Sequence, residues 1–247
     1  MKIATWNVNG IRARQAQVLD WLGAAQPDVL CLQEIKAARE QVPPSLWEHE
    51  DYWTSWHGAG GYSGVGLFVR KSLVPERPAI THPGFDFETR VACVEVNGIT
   101  IASVYVPNGG KDFAAKTRFL QDLSAFAATF AAGPTPLVLC GDLNVALTDI
   151  DVHPKERKAT AIGQLPEERE LLARVIGCGL VDVGRTLDPD NAEYFTWWPP
   201  WRSMRQRNIG WRIDYILASR SIADRATSCI VMPQFGTSDH APVVMEY

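Results

Sequence analysis

Apolar residues come in short, dense bursts along this chain, and nearly every burst stops at a polar group. Lys2 to Trp6 predicts an edge-to-core strand that ends at Asn7-Val-Asn9-Gly10. Asp28 to Glu34 predicts a second strand, which runs straight into an acid. Between them Ile11, Val18, Leu19, Trp21 and Leu22 recur on one helical face over residues 11 to 25, and Gln26-Pro27-Asp28 stops that helix. Tyr52 to His57, Val65 to Val69, Arg90 to Val96 and Ile99 to Val106 predict further strands. Asn97-Gly98 joins the last two and is the strongest short hairpin signal. Antiparallel pairing is therefore expected, which excludes a simple doubly wound parallel sheet. A long helix is predicted over 111 to 131, another over Pro166 to Ile176, and a short helix or loop over 43 to 51. Leu180 to Val183, Arg212 to Leu217 and Val243 to Glu246 read as strands, with a long loop region over 186 to 212.

One strand organises the rest. Leu137-Val-Leu-Cys140 lies between Pro136 and Gly141 and reads as a short strand buried on both faces. Asp142 and Asn144 follow, two residues apart, so in extended chain they project to the same side. Gly, Asp and Asn are also common turn residues, and alone this segment reads first as a turn. Comparable groups at other strand ends alter that reading. By strand end these are Asn7 and Asn9, Glu34, Tyr105 and Asn108, Asp214 as an inward acid among apolar residues, then Asp239 and His240. Converging, they would fill one cleft with four carboxylates, several amides, a phenol and an imidazole. So many carboxylates in one place call for a hard divalent cation such as Mg²⁺ or Mn²⁺, since the donors are mostly oxygen. Zinc would call for more His or Cys there. His240 alone would be read as structural, but beside Asp239 and with Asp214 to orient it, it becomes a proton-handling or charge-stabilising group. The glycine run over 58 to 64 lacks the Lys-Ser/Thr ending of a phosphate loop and reads as a hairpin connection.

Composition narrows the class. The 247 residues are 46% hydrophobic and 10% aromatic, which suits a well-cored enzyme. No apolar run approaches the roughly 18 residues that a membrane helix needs. Five scattered cysteines, an odd number without close pairs, suggest reduced core residues and a cytoplasmic setting. The net charge of −4 argues against coating nucleic acid by bulk charge. Locally, Arg202, Arg205, Arg207 and Arg212 interleave with Trp197, Trp198, Trp201 and Trp211, a mixture that suits a negative, stackable ligand. Lys155, Arg157 and Lys158 form a second basic run. The strand echo between Val29–Glu34 and Val138–Asp142 suggests two stacked sheets with helices outside, in one domain spanning 1–247.

The segments TWNVNG, LQE, YVPNG, GDLN, RNIGWRIDY and SDHAPV, in this order from Lys2 to Tyr247, resemble the exonuclease III family of apurinic/apyrimidinic endonucleases. That family sits within the endonuclease–exonuclease–phosphatase superfamily. The resemblance implies a four-layer α/β sandwich of two largely antiparallel sheets. It implies Asn7, Asn9, Glu34 and Asp239 around a main metal, with Asp142, Asn144 and His240 as candidates for a second. Asp142 would position or deprotonate the attacking water, Tyr105 would contact the scissile phosphate, and His240 oriented by Asp214 would stabilise developing charge. Arg90, Asn108, Lys111, Lys158, Arg205, Arg207 and Asn208 would contact DNA, and Trp197, Trp211 and Ile213 would wall an abasic-site pocket. The expected substrate is double-stranded DNA with abasic sites or 3′ ends, acted on by a monomer away from membranes. Asn9 departs from the aspartate of many members, and residues 153 to 163 lack their asparagines. Two rival functions remain at this point: a superfamily phosphatase or lipid phosphodiesterase, and an inactive nucleic-acid-binding protein.

Overall fold

Alternation along single strands divides the apolar residues between two faces, and this division builds the layers. In β1 (Lys2–Asn7), Ile3 enters a core shared by two sheets, whereas Ala4 and Trp6 pack outward beneath α1 (Ile11–Ala25). The structure, a computed structural model, describes residues 1–131 and 133–247. The following elements are β2 (Val29–Gln33), α2 (Pro44–Trp47), β3 (Tyr52–His57), β4 (Val65–Arg70), β5 (Ile80–Thr81), β6 (Val91–Val96) and β7 (Ile99–Tyr105). Then come α3 (Phe113–Ala131), β8 (Leu137–Asp142), α4 (Pro166–Gly177), β9 (Leu180–Asp182), α5 (Val183–Leu187), β10 (Asp214–Ser219), α6 (Arg220–Ala223), β11 (Ser228–Val231) and β12 (Val243–Glu246). Among the described residues these strands form two six-stranded sheets, ordered β11-β12-β1-β2-β4-β3 and β5-β6-β7-β8-β10-β9. The outer face of the second sheet is covered by α3 and α4 through Phe119, Leu120, Leu123, Leu171, Leu172 and Val175. The expected α/β sandwich of two largely antiparallel sheets is the fold observed.

Each sheet contains one parallel pair, β1 with β2 and β7 with β8. The two pairs run their C-terminal ends to the same mouth. Asn7 stands level with Gln33 in one sheet, and Tyr105 stands level with Asp142 in the other. Antiparallel β10 enters at this mouth, placing Asp214 opposite Asp142. Just below, a buried polar thread ties the sheets together. Thr5 Oγ1 donates to Gln33 Oε1 at 3.1 Å, Gln33 Nε2 to Ser103 Oγ at 3.1 Å, and Ser103 Oγ to the Leu32 carbonyl at 3.0 Å. A thread with its donors paired in this way fixes one sheet against the other beneath the site.

Several expected boundaries move for local reasons. β1 lies mid-sheet between β12 and β2, not at an edge. The helix expected from residue 111 begins at Phe113, because the Asp112 carboxylate accepts the Ala115 N–H at 2.9 Å. The strand expected to reach Val183 stops at Asp182, whose side chain caps α5 by accepting the Arg185 N–H at 3.2 Å. Elements as short as β5, α5 and α6 leave too little periodicity to be seen in sequence.

Gly141 shows why β8 must end as it does. It sits at φ 153°, and a Cβ there would lie 1.8 Å from the Val104 carbonyl oxygen on the paired strand β7. Gly141→Ala is expected to cost roughly 3 kcal/mol or more, as backbone cannot yield cheaply. A melting temperature equal to the parent's would refute this account of the β7–β8 contact.

Candidate active site

The strand ends meet in one cleft. Asp142, at the end of β8, is buried, and its position is fixed from three sides. Its Oδ1 accepts the Asn144 backbone N–H at 2.9 Å, and its Oδ2 accepts Asn7 Nδ2 at 2.9 Å and Asn144 Nδ2 at 3.2 Å. Asn7 Nδ2 also donates to Glu34 Oε1 at 2.9 Å, so one amide spans the first sheet's acid and the second's. His240 Nδ1 donates to Asp214 Oδ2 at 2.9 Å, while its Nε2 faces Asp142 Oδ2 at 3.8 Å. Asn9 Nδ2 donates to Asp239 Oδ1 at 2.8 Å, and Asp239 Oδ2 accepts the Trp197 indole N–H at 3.0 Å. Glu34, Asn9 and Asn144 all hold left-handed backbone, with φ of 50°, 46° and 52°. Non-glycine residues hold that region only when neighbours enforce it, and such enforcement clusters at functional sites.

Burial and charge set the protonation states. Burial alone would keep the His240 imidazole neutral, but Asp214, Asp142 and Asp239 outweigh it and push its pKa up to about 10. Burial, with repulsion from Asp214 and Glu34, pushes Asp142 up to about 8 against the pull of His240. Glu34 is half-buried; burial raises its pKa, yet Asn7, Lys36 and His240 hold it below the usual carboxylate range. Burial, then Glu34 and Asp142, raise the Tyr105 phenol far above its ordinary value, so it remains a donor. Lys36 was not anticipated. Its ammonium lies 2.7 Å from Glu34 Oε2 and donates to Asn9 Oδ1 at 2.6 Å. The carboxamide at position 9 is thus used at both ends, accepting from Lys36 and donating to Asp239, which an aspartate could not do.

The donor set suits a divalent cation. With Asp142 ionised, Glu34, Asp142, Asp214 and Asp239 face one imidazolium and one ammonium, leaving an excess of two negative charges. Glu34, Asp142 and His240 each bring a ligand atom within 4.8 Å of the others. This grouping cuts across the expected division into a main site at Asn7, Asn9, Glu34 and Asp239 and a second at Asp142, Asn144 and His240. A protonated His240 has no lone pair to give a metal.

Residues 4–240 match the model of the endonuclease/exonuclease/phosphatase family. The chain belongs to this family. An exodeoxyribonuclease of Bacillus subtilis is 34% identical over 250 residues, covering 98% of either chain. A 3′-5′ exonuclease from Neisseria meningitidis superposes with a TM-score of 0.92 at 31% identity, over 100% of this chain and 99% of that one. An AP endonuclease from Archaeoglobus fulgidus superposes with a TM-score of 0.90 at 29% identity, over 100% and 99%. The likeness to the exonuclease III branch, first seen in the motifs, holds across the whole fold. Nucleases of this family depend on a divalent metal, and the Glu34–Asp142 region offers it oxygen ligands.

Trp197, Trp211 and Ile213 do come together, with Ala146 and Val152, in a small apolar cluster at the cleft. The two indoles meet edge to face at 5.4 Å. The expected DNA contacts divide. Asn108, Lys111, Lys158 and Arg207 are exposed, and Asn108 Nδ2 reaches Asn144 Oδ1 at 3.2 Å. Arg90 is fully buried, so it does not meet phosphate directly. Its guanidinium pairs with Glu88 and lies 4.7 Å from the Tyr105 ring centre, which makes it a support for Tyr105. Arg205 is occupied by the carbonyls of Pro233, Phe235 and Ser238 and stacks on buried Trp198. It anchors the loop that delivers Asp239. Asn208 is likewise committed, accepting from the Trp198 indole and donating to the Glu193 carbonyl. Arg212 is buried against Asp151 at 2.7 Å and Asp182 at 2.8 Å, so the arginine cluster read from sequence is in part internal framework.

Sequence reasoning missed a second buried support. Lys116 pairs with Glu168, and its ammonium also donates to the Asn108 carbonyl at 3.1 Å and the Asn144 carbonyl at 2.8 Å. A lysine on the apolar stripe shared with Leu120, Leu123 and Ala127 was the available signal. The segment without asparagines is pinned by Gln164, whose Oε1 accepts the Lys158 N–H at 2.9 Å and whose Nε2 donates to the Glu156 carbonyl at 3.0 Å.

Proposed function

We propose that this chain is a Mg²⁺- or Mn²⁺-dependent DNA phosphodiesterase that incises 5′ to abasic sites and also trims 3′ ends. The observation that supports it most is the buried Asp142, fixed by Asn7 and Asn144 and faced by an imidazole that Asp214 orients. Glu34 would hold the cation, with Asn7, Asn9 and Asp239 around it, which leaves Asp142 to act on the water. Such an ion, when bound, would offset the negative charge of the cleft and supply Lewis-acid polarisation of a phosphoryl oxygen. Asp142, whose pKa sits near neutrality, receives the proton of the attacking water. His240, protonated and aimed by Asp214, donates toward the charge that builds on the phosphate. Tyr105 donates from the opposite sheet, backed by Arg90. A phenol kept so firmly protonated is a poor nucleophile, which favours water attack over a covalent adduct.

Trp197, Trp211 and Ile213 would receive the bare sugar, while Lys111, Lys158 and Arg207 hold flanking phosphates without reading sequence. We take residues 1–247 as one catalytic domain acting as a monomer in the cytoplasm. Among the described residues no helix is long and apolar enough to cross a membrane. Three substrates test the proposal: abasic duplex, undamaged duplex with a recessed 3′ end, and an inositol phosphate, each with and without chelator. Incision at the abasic site, slower 3′ resection and loss of both in chelator are expected. Preference for the inositol phosphate, or full turnover in excess chelator, would overturn it.

A further inference from the structure

Outside the catalytic cleft, the described residues contain one other group of titratable side chains close enough to share an ion. His57, His82 and Asp86 each bring a ligand atom within 4.8 Å of the others. His57 ends β3, His82 directly follows β5, and Asp86 lies in the loop that leads to β6. His82 and Asp86 are anchored through their far sides. His82 Nδ1 donates to the Val91 carbonyl at 2.8 Å, which leaves Nε2 of the neutral ring bare on an exposed side chain. Asp86 Oδ1 accepts the N–H groups of Arg90 at 2.8 Å and Val91 at 2.9 Å, freeing Oδ2 for another partner. That partner is His57 Nε2, which donates to it at 2.6 Å. The rings of His57 and His82 stack 3.7 Å apart at 23°.

Hydrogen bonds to the far atom of an imidazole or carboxylate are what orient metal ligands and set the tautomer. A surface ion pair between His57 and Asp86 accounts for one contact only. It leaves unexplained why a second imidazole, with its tautomer fixed, brings a free lone pair to the same space. Two imidazoles and a carboxylate are the donors of a borderline ion, unlike the oxygen-rich cleft. We propose that His57, His82 and Asp86 form a second cation site, for an ion of the zinc class. On binding, His57 gives its Nε2 proton to solvent while Nδ1 keeps or takes up one, so the ring stays a neutral imidazole and Nε2 joins His82 Nε2 and Asp86 Oδ2 as a ligand. The exposed His82 ring tilts out of the stack so that the two lone pairs converge. The bound ion would tie the 82–91 segment to β3. Through Asp86 that segment positions the backbone of Arg90, which supports Tyr105.

Calorimetric titration of Zn²⁺ alone into metal-free protein tests this, using the parent, His82→Ala and Glu34→Ala. Glu34→Ala alters the catalytic cleft and should retain the binding step assigned here. His82→Ala should lose it, by at least about a hundredfold in affinity, since even an outer partner is worth 10–100-fold. His82 is exposed, so the variant should melt with the parent when zinc is withheld. In the parent, zinc should also slow hydrogen exchange at the Arg90 and Val91 amides. A His82→Ala isotherm identical to the parent's, or unchanged exchange at both amides, would overturn the assignment.

Discussion

Asp142→Asn is expected to bind abasic duplex as the parent does and to turn it over a hundredfold to ten-thousandfold more slowly, the range that a general base contributes. The substitution keeps the shape and removes the proton acceptor. Its structural cost is small and partly offset. An amide NH₂ at the Oδ2 position would face the donors of Asn7 and Asn144, at about 1–3 kcal/mol for hydrogen bonds lost. Against this, a carboxylate that burial, Asp214 and Glu34 disfavour is gone. The variant should therefore stay folded, and single-turnover rates should fall as far as steady-state ones. Retention of more than a tenth of the parent rate, with a normal melting profile, would remove Asp142 from the proton-transfer role.

The legible part of this site was the part that lies at strand ends. Asn7, Glu34, Tyr105 and Asp142 close apolar runs and Asp214 opens one, so one-dimensional pattern and topology point to the same mouth. The hairpin at Asn97-Gly98 was equally open to view, because two residues fix its geometry. Burial of cations was not legible. Arg90 and Arg212 are indistinguishable in sequence from surface arginines, and only their partners, Glu88 for one and Asp151 with Asp182 for the other, make them internal. The partners of Arg212 lie 30 and 61 residues away, whereas Arg90 is sealed by Tyr62, Phe87 and Tyr105 around it. The same distance hides Lys36 less well, since it stands two residues from Glu34 and could have been read as its counter-ion. His57 comes from the end of β3 in one sheet, and His82 and Asp86 from the β5–β6 connection of the other, so their meeting depends on how the sheets stack, which no local pattern encodes.

Trp211→Ala should lower incision at abasic sites by roughly a hundredfold while leaving 3′-end resection within a few-fold of the parent, about what one steric and desolvation contribution supplies. Trp211 is the cleaner of the two indoles to remove. Trp197 holds Asp239 through its N–H, so its loss would disturb the cation site and both activities at once. The Trp211 indole N–H has no protein partner, and its side chain packs beside Gly163, against Trp197 and on the cluster of Ala146, Val152 and Ile213. Its backbone stays fixed after truncation, because Trp211 N–H donates to the Trp197 carbonyl at 2.8 Å and the next residue is clamped by Asp151. What changes is the wall. An abasic sugar leaves the helix at less cost than an intact nucleotide, and a rigid aromatic wall admits the bare sugar while refusing a base. Enlarging the hole weakens the grip on the sugar and relaxes that refusal, so undamaged duplex should be nicked more often relative to abasic duplex. Exonuclease turnover uses an end already frayed and asks less of the pocket. If Trp211 were packing alone, the variant would melt earlier and lose both activities together. Equal losses at an unchanged melting temperature would show that selection for the abasic sugar resides elsewhere, with the exposed Lys158 and Asn108 side of the cleft the next place to test.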